Sequence, residues 1–302
     1  MPLLDDSHRQ IAKNKEIHDR IASQYDAAHP EIYNPTEQTR IHAGLANAIS
    51  LIQTGAKTPV VMDFGAGTGN LTNHLLDLGV RVLAADVSQG SLDLLKEKLG
   101  HPAGLQTALL NGRDLAGFGD QTVDMLATYS VLHHVPDYLA IISEFVRVVK
   151  PGGIILIDHE VCPAYWEQSP EYLSYLNELG GNFLNTYGIV TGTPLVDRLP
   201  LPPTAIRILR TLYRTTTGIS GRVLEMTRLR KHRPGGGGDI HIFQHDHIEW
   251  DRISTQLAGP CEIVREEDYL VCRETDPNPP VWHRWRQRCS DMRSVTARRI
   301  SS

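Results

Sequence analysis

The sequence predicts an α/β fold with a parallel sheet, and the strongest evidence lies between Pro59 and Asp86. An apolar, strand-like run ends at Asp63, three closely spaced glycines follow, and leucines at helical spacing come next. A second apolar run then ends on Asp86. A strand, a glycine turn, a helix and a parallel strand make one βαβ unit of the nucleotide-binding kind.

The glycine turn indicates which ligand this unit takes. Dinucleotide folds use the spacing G-x-G-x-x-G, with the pyrophosphate on the helix N-terminus. Here Gly65, Gly67 and Gly69 have the spacing G-x-G-x-G and follow the acidic residue Asp63. A carboxylate there repels a pyrophosphate and attracts an ammonium group. Asp86, at the end of the second strand, is placed to accept hydrogen bonds from a ribose diol.

Composition and length narrow the class of protein. The 302 residues suffice for one large domain, or for one domain with an inserted piece. A net charge of −5 argues against a general nucleic-acid binder. The four cysteines are scattered and form no CxxC pair, which is typical of reduced thiols in a cytosolic protein. With neither an evident signal peptide nor a membrane-length apolar run, we expect a cytoplasmic protein.

Five motifs in order resemble those of the class I S-adenosylmethionine (SAM)-dependent methyltransferases. The first is D-F-G-A-G-T-G, which resembles motif I, and the second is the ribose acid Asp86. Asp114, after a third strand over 105–110, matches the family's adenine-binding acid. The run L-H-H-V-P-D follows a fourth strand over 122–128, and K-P-G-G precedes a fifth strand that ends at Asp158. The resemblance covers roughly half the chain, from Ile21 to Glu160, and is closest to small-molecule methyltransferases of the type 11 domain, including those of quinone biosynthesis.

The resemblance implies a fold, a cofactor and a set of binding residues. The fold is a Rossmann-like sheet of seven strands in the order 3-2-1-4-5-7-6, with strand 7 antiparallel and helices on both faces. The cofactor is SAM and the product is S-adenosylhomocysteine (SAH). The residues expected to bind it are Tyr25, Asp63, Gly65, Ala66, Gly67, Gly69, Asp86, Val87, Asp114, Leu115 and Tyr129.

The rest of the chain is divided by composition. Residues 1–55 are predicted to form an N-terminal helical lid, in which Tyr25 either covers the cofactor or only packs its ring. Residues 56–160 are predicted to form the SAM-binding core. The proline-rich residues 161–238 are predicted to form an inserted cap, and the alternative is a surface elaboration or a dimerisation arm. Residues 239–277 return to the core, with a terminal hairpin over 262–265 and 269–272. Residues 278–302 are a basic tail. We favour an ordered helix for this tail over two alternatives, a contact for an acidic partner and a solvated end.

Methyl transfer from a sulfonium is an in-line displacement, so the acceptor must be aligned and, where it carries a proton, deprotonated. Side chains that follow strands four and five face this position. The base candidates are therefore His159, Glu160 and His133, with Tyr33 on the lid. His134 is more typical of a structural role, and His29 of a helix stop before proline.

Two further alternatives remain at this point. His241, His245 and His247 alternate in a way that suggests a metal site, but a helix starting at Asp246 would break their common face, so no metal is expected. The predicted activity is methylation of a small organic acceptor, with oxygen favoured over nitrogen or carbon. No nucleic-acid or membrane partner is expected, and a homodimer is an alternative to a monomer. The competing hypothesis is a protein that binds SAM or SAH as a structural cofactor, or for cyclisation, and no longer methylates.

Overall fold

A computed structural model describes residues 11–13, 15–16, 18–19, 29–179 and 248–300. Several predictions concern other parts of the chain and lie outside the described residues. These are the roles of Tyr25, of His241, His245 and His247, and of the cap over 180–238.

Seven strands form one sheet in the order β3-β2-β1-β4-β5-β7-β6, which confirms the predicted order. The strands are β1 (Val60–Phe64), β2 (Arg81–Asp86), β3 (Leu105–Leu109), β4 (Val123–Tyr129), β5 (Val149–Val161), β6 (Cys261–Tyr269) and β7 (Met292–Arg299). The first five run parallel, and β7 is antiparallel to both of its neighbours. Every residue of β4 is buried, as expected for a central parallel strand covered on both faces.

Helices connect these strands and cover both faces of the sheet. They are α1 (Pro30–Tyr33), α2 (Pro35–Ser50), α3 (Asn70–Asp77), α4 (Gln89–Leu99), α5 (Tyr138–Val148), α6 (Pro163–Glu167), α7 (Pro170–Leu179), α8 (Trp250–Leu257) and α9 (Pro280–Trp285), with a 3-10 turn over Leu132–His134. The described residues between 11 and 19 are helical, as predicted. No helix in these described segments is both long and apolar enough to cross a membrane.

Two apolar clusters hold the helices to the sheet. In one, α5 and α8 supply Phe145 and Ile253 to the face that also carries Val295 of β7. In the other, α2 and α3 supply Leu45 and Leu75. Burying a side chain of this size contributes about 1.5–3 kcal/mol relative to leaving it exposed. These clusters therefore fix the ends of β1, β2, β4 and β5 relative to one another.

The predicted terminal hairpin was wrong in its second strand. Residues 262–265 lie in β6, but β6 continues to Tyr269, and its partner β7 lies in the segment predicted to be a basic tail. The middle of β7 is buried at Val295, Thr296 and Ala297, and arginines near both of its ends pair with acidic residues of the edge strand β6. Arg293 pairs with Asp268, and Arg298 with Glu262. The basic run therefore belongs to a half-buried strand, and only the short helix α9 matches the predicted ordered helix.

Helix starts provide a smaller test of the sequence reading. Ser88 caps α4, as predicted, because its Oγ accepts the N–H of Ser91. Helix α5 begins after Asp137, whose carboxylate accepts the N–H of Ala140, so Pro136 precedes the helix instead of lying in its first turn. The N-cap of α8 is Glu249 and not Asp246.

Candidate cofactor and active site

A cleft opens at the carboxyl ends of β1, β2 and β4. Strand ends of a parallel sheet meet at this edge, so the residues that follow them share one crevice. Nine of the predicted site residues line the cleft: Tyr33, Asp63, Gly65, Ala66, Gly67, Asp86, Val87, Asp114 and Tyr129.

The glycine turn brings the backbone close to the loop after β4. Gly65 has φ of +76°, and a Cβ built on it would lie 2.4 Å from Cγ2 of Val131. Gly67 has φ of +50° with open space where a Cβ would be. Gly69 is the N-cap of α3 and has φ of +100°; a Cβ on it would face Leu95, not the cleft. Gly65 and Gly67 therefore form the wall, and Gly69 shapes the turn behind it.

Asp86 is fixed by two backbone donors. Its Oδ2 accepts the N–H of Gly67 and its Oδ1 accepts the N–H of Ser88, each at 2.8 Å. Burial raises the pKa of this carboxyl, and the two N–H donors oppose that effect. Each carboxylate oxygen keeps a second lone pair for a ligand hydroxyl.

Asp63 lies deeper and is held by one side chain. The hydroxyl of Thr72 donates to its Oδ2 at 2.6 Å. Burial, with a smaller contribution from the nearby Asp86 carboxylate, raises the pKa of Asp63 to about 7. A buried carboxyl of this kind is stabilised in its charged form by a cation, and an ammonium group meets that need.

The predicted adenine end is divided between the cleft and the core. Asp114 lines the cleft, and its Oδ1 accepts from Nδ2 of Asn111 at 2.8 Å and from the N–H of Ala116 at 3.0 Å. The bond from Asn111 is the main reason that the pKa of Asp114 is lowered. The side chain of Leu115 is buried in the core, and its N–H donates to Glu144, so Leu115 is not a cleft residue.

The two base candidates His133 and Glu160 are in direct contact. Nδ1 of His133 lies 2.7 Å from Oε2 of Glu160, and the Glu160 side chain is only 1% exposed. The other carboxylate oxygen accepts the N–H groups of Val131 and Leu132. Glu160 therefore holds both the imidazole and the start of the turn that carries it. Neither His133 nor Glu160 itself lines the cleft, but His133 stands in the chain beside His134 and close to Val131, which do.

His159 occupies a different environment from the one predicted for a base. Its ring stacks on Tyr129 at 4.4 Å between centroids, and its Nδ1 lies 3.2 Å from the hydroxyl of Tyr269. Burial, and next the nearby Arg40 guanidinium, lower its pKa well below the ordinary value, so the ring is neutral. It is 6% exposed and is not on the cleft wall. β5 has a bulge between Ile157 and Glu160, where His159 has φ of +62°. The bulge interrupts the alternation of side chains between the two faces of the sheet, so His159 and Glu160 have different surroundings.

The lid contributes Tyr33, whose hydroxyl lies 3.4 Å from Oγ1 of Thr68 over the glycine turn. His29, considered as a lid base, instead contacts Glu31 through Nδ1 at 2.9 Å. The cleft residues that sequence reasoning missed include Ile11, His18, Thr68 and Asn70. Thr68 and Asn70 flank Gly69, the last glycine of the turn. Their place beside that glycine is the sequence feature from which they could have been predicted to line the cleft. Within the described segments, no three His, Cys, Asp or Glu side chains are grouped to hold a metal ion.

The cleft fits SAM on its own chemistry. Asp63 is a buried carboxyl suited to an ammonium group, Asp86 has accepting lone pairs for a ribose diol, and Val87 and Leu110 offer apolar contact to a base. Among the described residues, no lysine or arginine side chain stands at the glycine turn to hold a pyrophosphate, and the arginine that lines the cleft, Arg113, follows β3. The fold and the site together define a class I SAM-binding domain.

Comparison with known proteins identifies the family of this domain. Residues 62–157 match the family described as a methyltransferase domain. The chain is 37% identical over 111 residues to a malonyl-[acyl-carrier protein] O-methyltransferase of Yersinia pestis, covering 35% of this chain and 39% of that protein. It is 31% identical over 112 residues to a demethylmenaquinone methyltransferase of Lactococcus lactis, covering 35% and 44%. The chain thus aligns with less than half the length of either relative.

The fold also matches a SAM-dependent methyltransferase from Methanosarcina mazei. The TM-score is 0.50 at 16% identity, and the match covers 84% of this chain and 97% of the other. At that identity the similarity establishes the fold alone.

Proposed function

We propose that this protein transfers the methyl group of SAM to a hydroxyl oxygen of a small organic acceptor. The observation that carries the proposal is the His133–Glu160 pair, which stands beside a cleft whose carboxyls suit SAM. An acceptor that carries a proton needs a base, and an imidazole oriented by a carboxylate is a common one.

Each group of the site then has a role in binding or proton transfer. When bound, SAM supplies an electrophilic methyl group on a sulfonium. Asp63 holds the ammonium, Asp86 the ribose diol and Asp114 the adenine amino group, while Tyr33 closes the cleft above the glycine turn. These contacts fix the direction of the methyl group, because an in-line displacement depends on alignment and on the exclusion of water.

His133 is the proton acceptor in this scheme. With Nδ1–H donated to Glu160, the basic lone pair is on Nε2. The acceptor hydroxyl gives its proton to Nε2 as the oxygen attacks the methyl carbon and the carbon–sulfur bond breaks. The carboxylate of Glu160 stabilises the imidazolium that results. His159, which is neutral and packed behind Tyr129, has no direct part.

The relatives support the acceptor class without defining it. One is named for O-methylation of malonyl-[acyl-carrier protein] and another for methylation of demethylmenaquinone. Oxygen is our choice because the His–Glu pair suits a hydroxyl. We further expect the enzyme to act in the cytoplasm on small molecules, without a nucleic-acid or membrane partner, and gel filtration can distinguish a monomer from a homodimer.

A direct assay separates this proposal from its competitor. The protein is incubated with SAM labelled in the methyl group and with matched sets of phenols, carboxylic acids, amines and carbon acids. Acceptor-dependent release of SAH, with label on oxygen, supports the proposal. Tight binding of SAM with no turnover on any set would favour a protein that retains the cofactor without methylating.

A further inference from the structure

Strand β5 contains an extra residue near its carboxyl end. On β7, Val295 and Arg293 are two residues apart, but their partners on β5, Ile157 and Glu160, are three residues apart. The bulge includes His159, whose φ of +62° is a value that residues with a Cβ rarely adopt. β5 therefore leaves its regular conformation immediately before Glu160.

Without the bulge, Glu160 would lie on the opposite face of the sheet. Ile155 and Ile157 pack in the apolar cluster of α5 and α8, whereas Leu156 packs in the cluster of α2 and α3. Successive side chains of a strand point to opposite faces. Regular alternation would therefore place His159 on the α5 side of the sheet and Glu160 on the α2 side.

The observed contacts are the reverse of that arrangement. His159 stacks at 4.4 Å between ring centroids on Tyr129, which belongs to the cluster of α2 and α3. Glu160 accepts the N–H of Leu132, which belongs to the cluster of α5 and α8. The same carboxylate lies 2.7 Å from Nδ1 of His133. The bulge is therefore what brings Glu160 to the imidazole.

A buried group of hydrogen-bonded side chains holds the bulge. Oδ1 of Asp158 accepts the N–H of His159 at 2.8 Å and the hydroxyl of Tyr269 at 3.0 Å. Because the hydroxyl hydrogen of Tyr269 goes to Asp158, Nδ1–H of His159 donates to the tyrosine oxygen across their 3.2 Å contact. Nη1 of Arg40 lies 3.1 Å from Oδ2 of Asp158, and the guanidinium carbon lies 4.0 Å from the centroid of the Tyr269 ring.

We propose that His159 is a positioning residue, which acts through the backbone conformation that it holds and not as a proton acceptor. With Asp158 and Tyr269 it stabilises the bulge that directs Glu160 to His133. A backbone in a rare conformation persists only where its surroundings determine it, and the contacts of His159 do so. The proposal rests on the proposed function only in taking His133 as the base.

Two substitutions of similar size separate the backbone of His159 from its ring. Asparagine adopts positive φ more readily than most residues, so His159→Asn should keep the bulge while removing the imidazole. A β-branched residue strongly disfavours this conformation, so His159→Val should disrupt the bulge. Gln121→Val is the matched control, because Gln121 has φ of +54° in an exposed turn before β4, at the edge of the sheet away from the cleft.

The contact between His133 and Glu160 can be observed without an acceptor. In protein with isotope-labelled histidine, an imidazole N–H that is hydrogen-bonded to a carboxylate should give a slowly exchanging, low-field proton signal. Loss of this signal in His133→Gln assigns it to His133. We expect the signal to remain in His159→Asn and in Gln121→Val, and to disappear in His159→Val.

Turnover provides the second readout, with an acceptor identified by the labelled-SAM assay. We expect kcat to stay within about threefold in His159→Asn and to fall roughly 10- to 100-fold in His159→Val, part of what an oriented general base contributes. The KM for SAM should not change. Tyr269→Phe keeps the ring and removes only the hydroxyl, so it should lower kcat by roughly three- to tenfold, and it replaces His159→Val if melting shows that variant to be unfolded.

Equal losses of kcat in His159→Asn and His159→Val would overturn the proposal, because the imidazole and not the backbone would then matter. Survival of the His133 signal in a folded His159→Val protein would overturn it too. If the signal follows the expected pattern but no acceptor is methylated, the role of the bulge in placing Glu160 is supported and only the proposed function is contradicted.

Discussion

Nδ1 of His133 and Oε2 of Glu160 lie 2.7 Å apart, although the two residues come from different connections of the sheet. His133 belongs to the turn after β4, and Glu160 to the end of β5, beyond the bulge. The same carboxylate accepts two backbone N–H groups of that turn, so it cannot rotate away from the imidazole. This contact is the basis of the proposed proton transfer.

Replacing the base should reduce turnover and leave cofactor binding intact. We expect His133→Gln to lower kcat by roughly 10²- to 10⁴-fold, the usual contribution of a general base. The dissociation constant of SAH should stay within about twofold, because the residue binds no part of the cofactor in this scheme. Stopped assays, with an acceptor identified by the labelled-SAM assay, measure kcat, and calorimetry measures the dissociation constant of SAH. A parallel loss of SAH affinity would mean that His133 belongs to the binding site instead.

Glu160→Gln tests whether this carboxylate acts through His133. Loss of the carboxylate charge removes the stabilisation of the imidazolium that forms as the proton is transferred, so kcat should fall. In a His133→Gln background the same change should lower kcat little further, because the group on which the carboxylate acts is gone. Fully additive losses of kcat would contradict a role through His133 and indicate only a structural one.

Gly65 should be the least replaceable glycine of the turn. A Cβ there would overlap Val131 and would also require φ of +76° from an alanine. We expect Gly65→Ala to lower the free energy of unfolding by about 2–4 kcal/mol, as strain and overpacking add. Gly79→Ala is the control, because Gly79 has φ of +77° with nothing within 4 Å. It should cost only about 1–2 kcal/mol from the backbone conformation.

The clash can be separated from the strain by a second substitution. Removing two methyl groups with Val131→Ala should restore part of the stability lost in Gly65→Ala, measured by denaturant unfolding of the single and double variants. Strictly additive losses would show that the contact between Gly65 and Val131 does not limit this turn.

Binding of SAH should strengthen as the pH rises through about 7. Burial raises the pKa of Asp63 to about 7, and an ammonium group requires the charged carboxylate. Roughly a tenth of Asp63 is ionised at pH 6 and nearly all of it at pH 8, so the affinity should rise about tenfold between them. Calorimetry at several pH values measures this, and 5′-methylthioadenosine, which lacks the ammonium, should show no such rise.

The same pKa has a consequence for stability. Between the ordinary value of 3.8 and about 7 the folded protein holds a proton on Asp63 that the unfolded chain releases. This group therefore adds to the free energy of unfolding as the pH falls from 8 toward 5. Asp63→Asn should remove both this dependence and that of SAH affinity, and a variant that keeps either would contradict the assignment to Asp63.

The central half of the molecule could be read from the sequence because its signals are local. Asp63, Asp86 and Asp114 each end or follow an apolar run, so the sheet places them at one edge. The seventh strand was harder to find, because arginines occupy both of its ends and because 22 residues, which include one short helix, separate it from its partner β6.

The remaining errors came from features that no residue pattern specifies. The β5 bulge gives His159 and Glu160 different surroundings, and strict strand alternation cannot foresee it. Nothing in the sequence indicated that Nε2 of Gln38 donates to Oδ1 of the cleft residue Asn70, which lies 32 residues later in the chain. Such contacts depend on how α2 packs on α3, which is a tertiary property.

Calorimetric titration of the purified protein with SAH and, separately, with NADH tests the central claim most directly. A cleft with Asp63 and Asp86 at its strand ends, and with no lysine or arginine at its glycine turn in the part of the chain that the structure describes, should bind SAH with one site per chain and leave NADH unbound. Uptake of NADH by a protein that ignores SAH would contradict this account of the cleft.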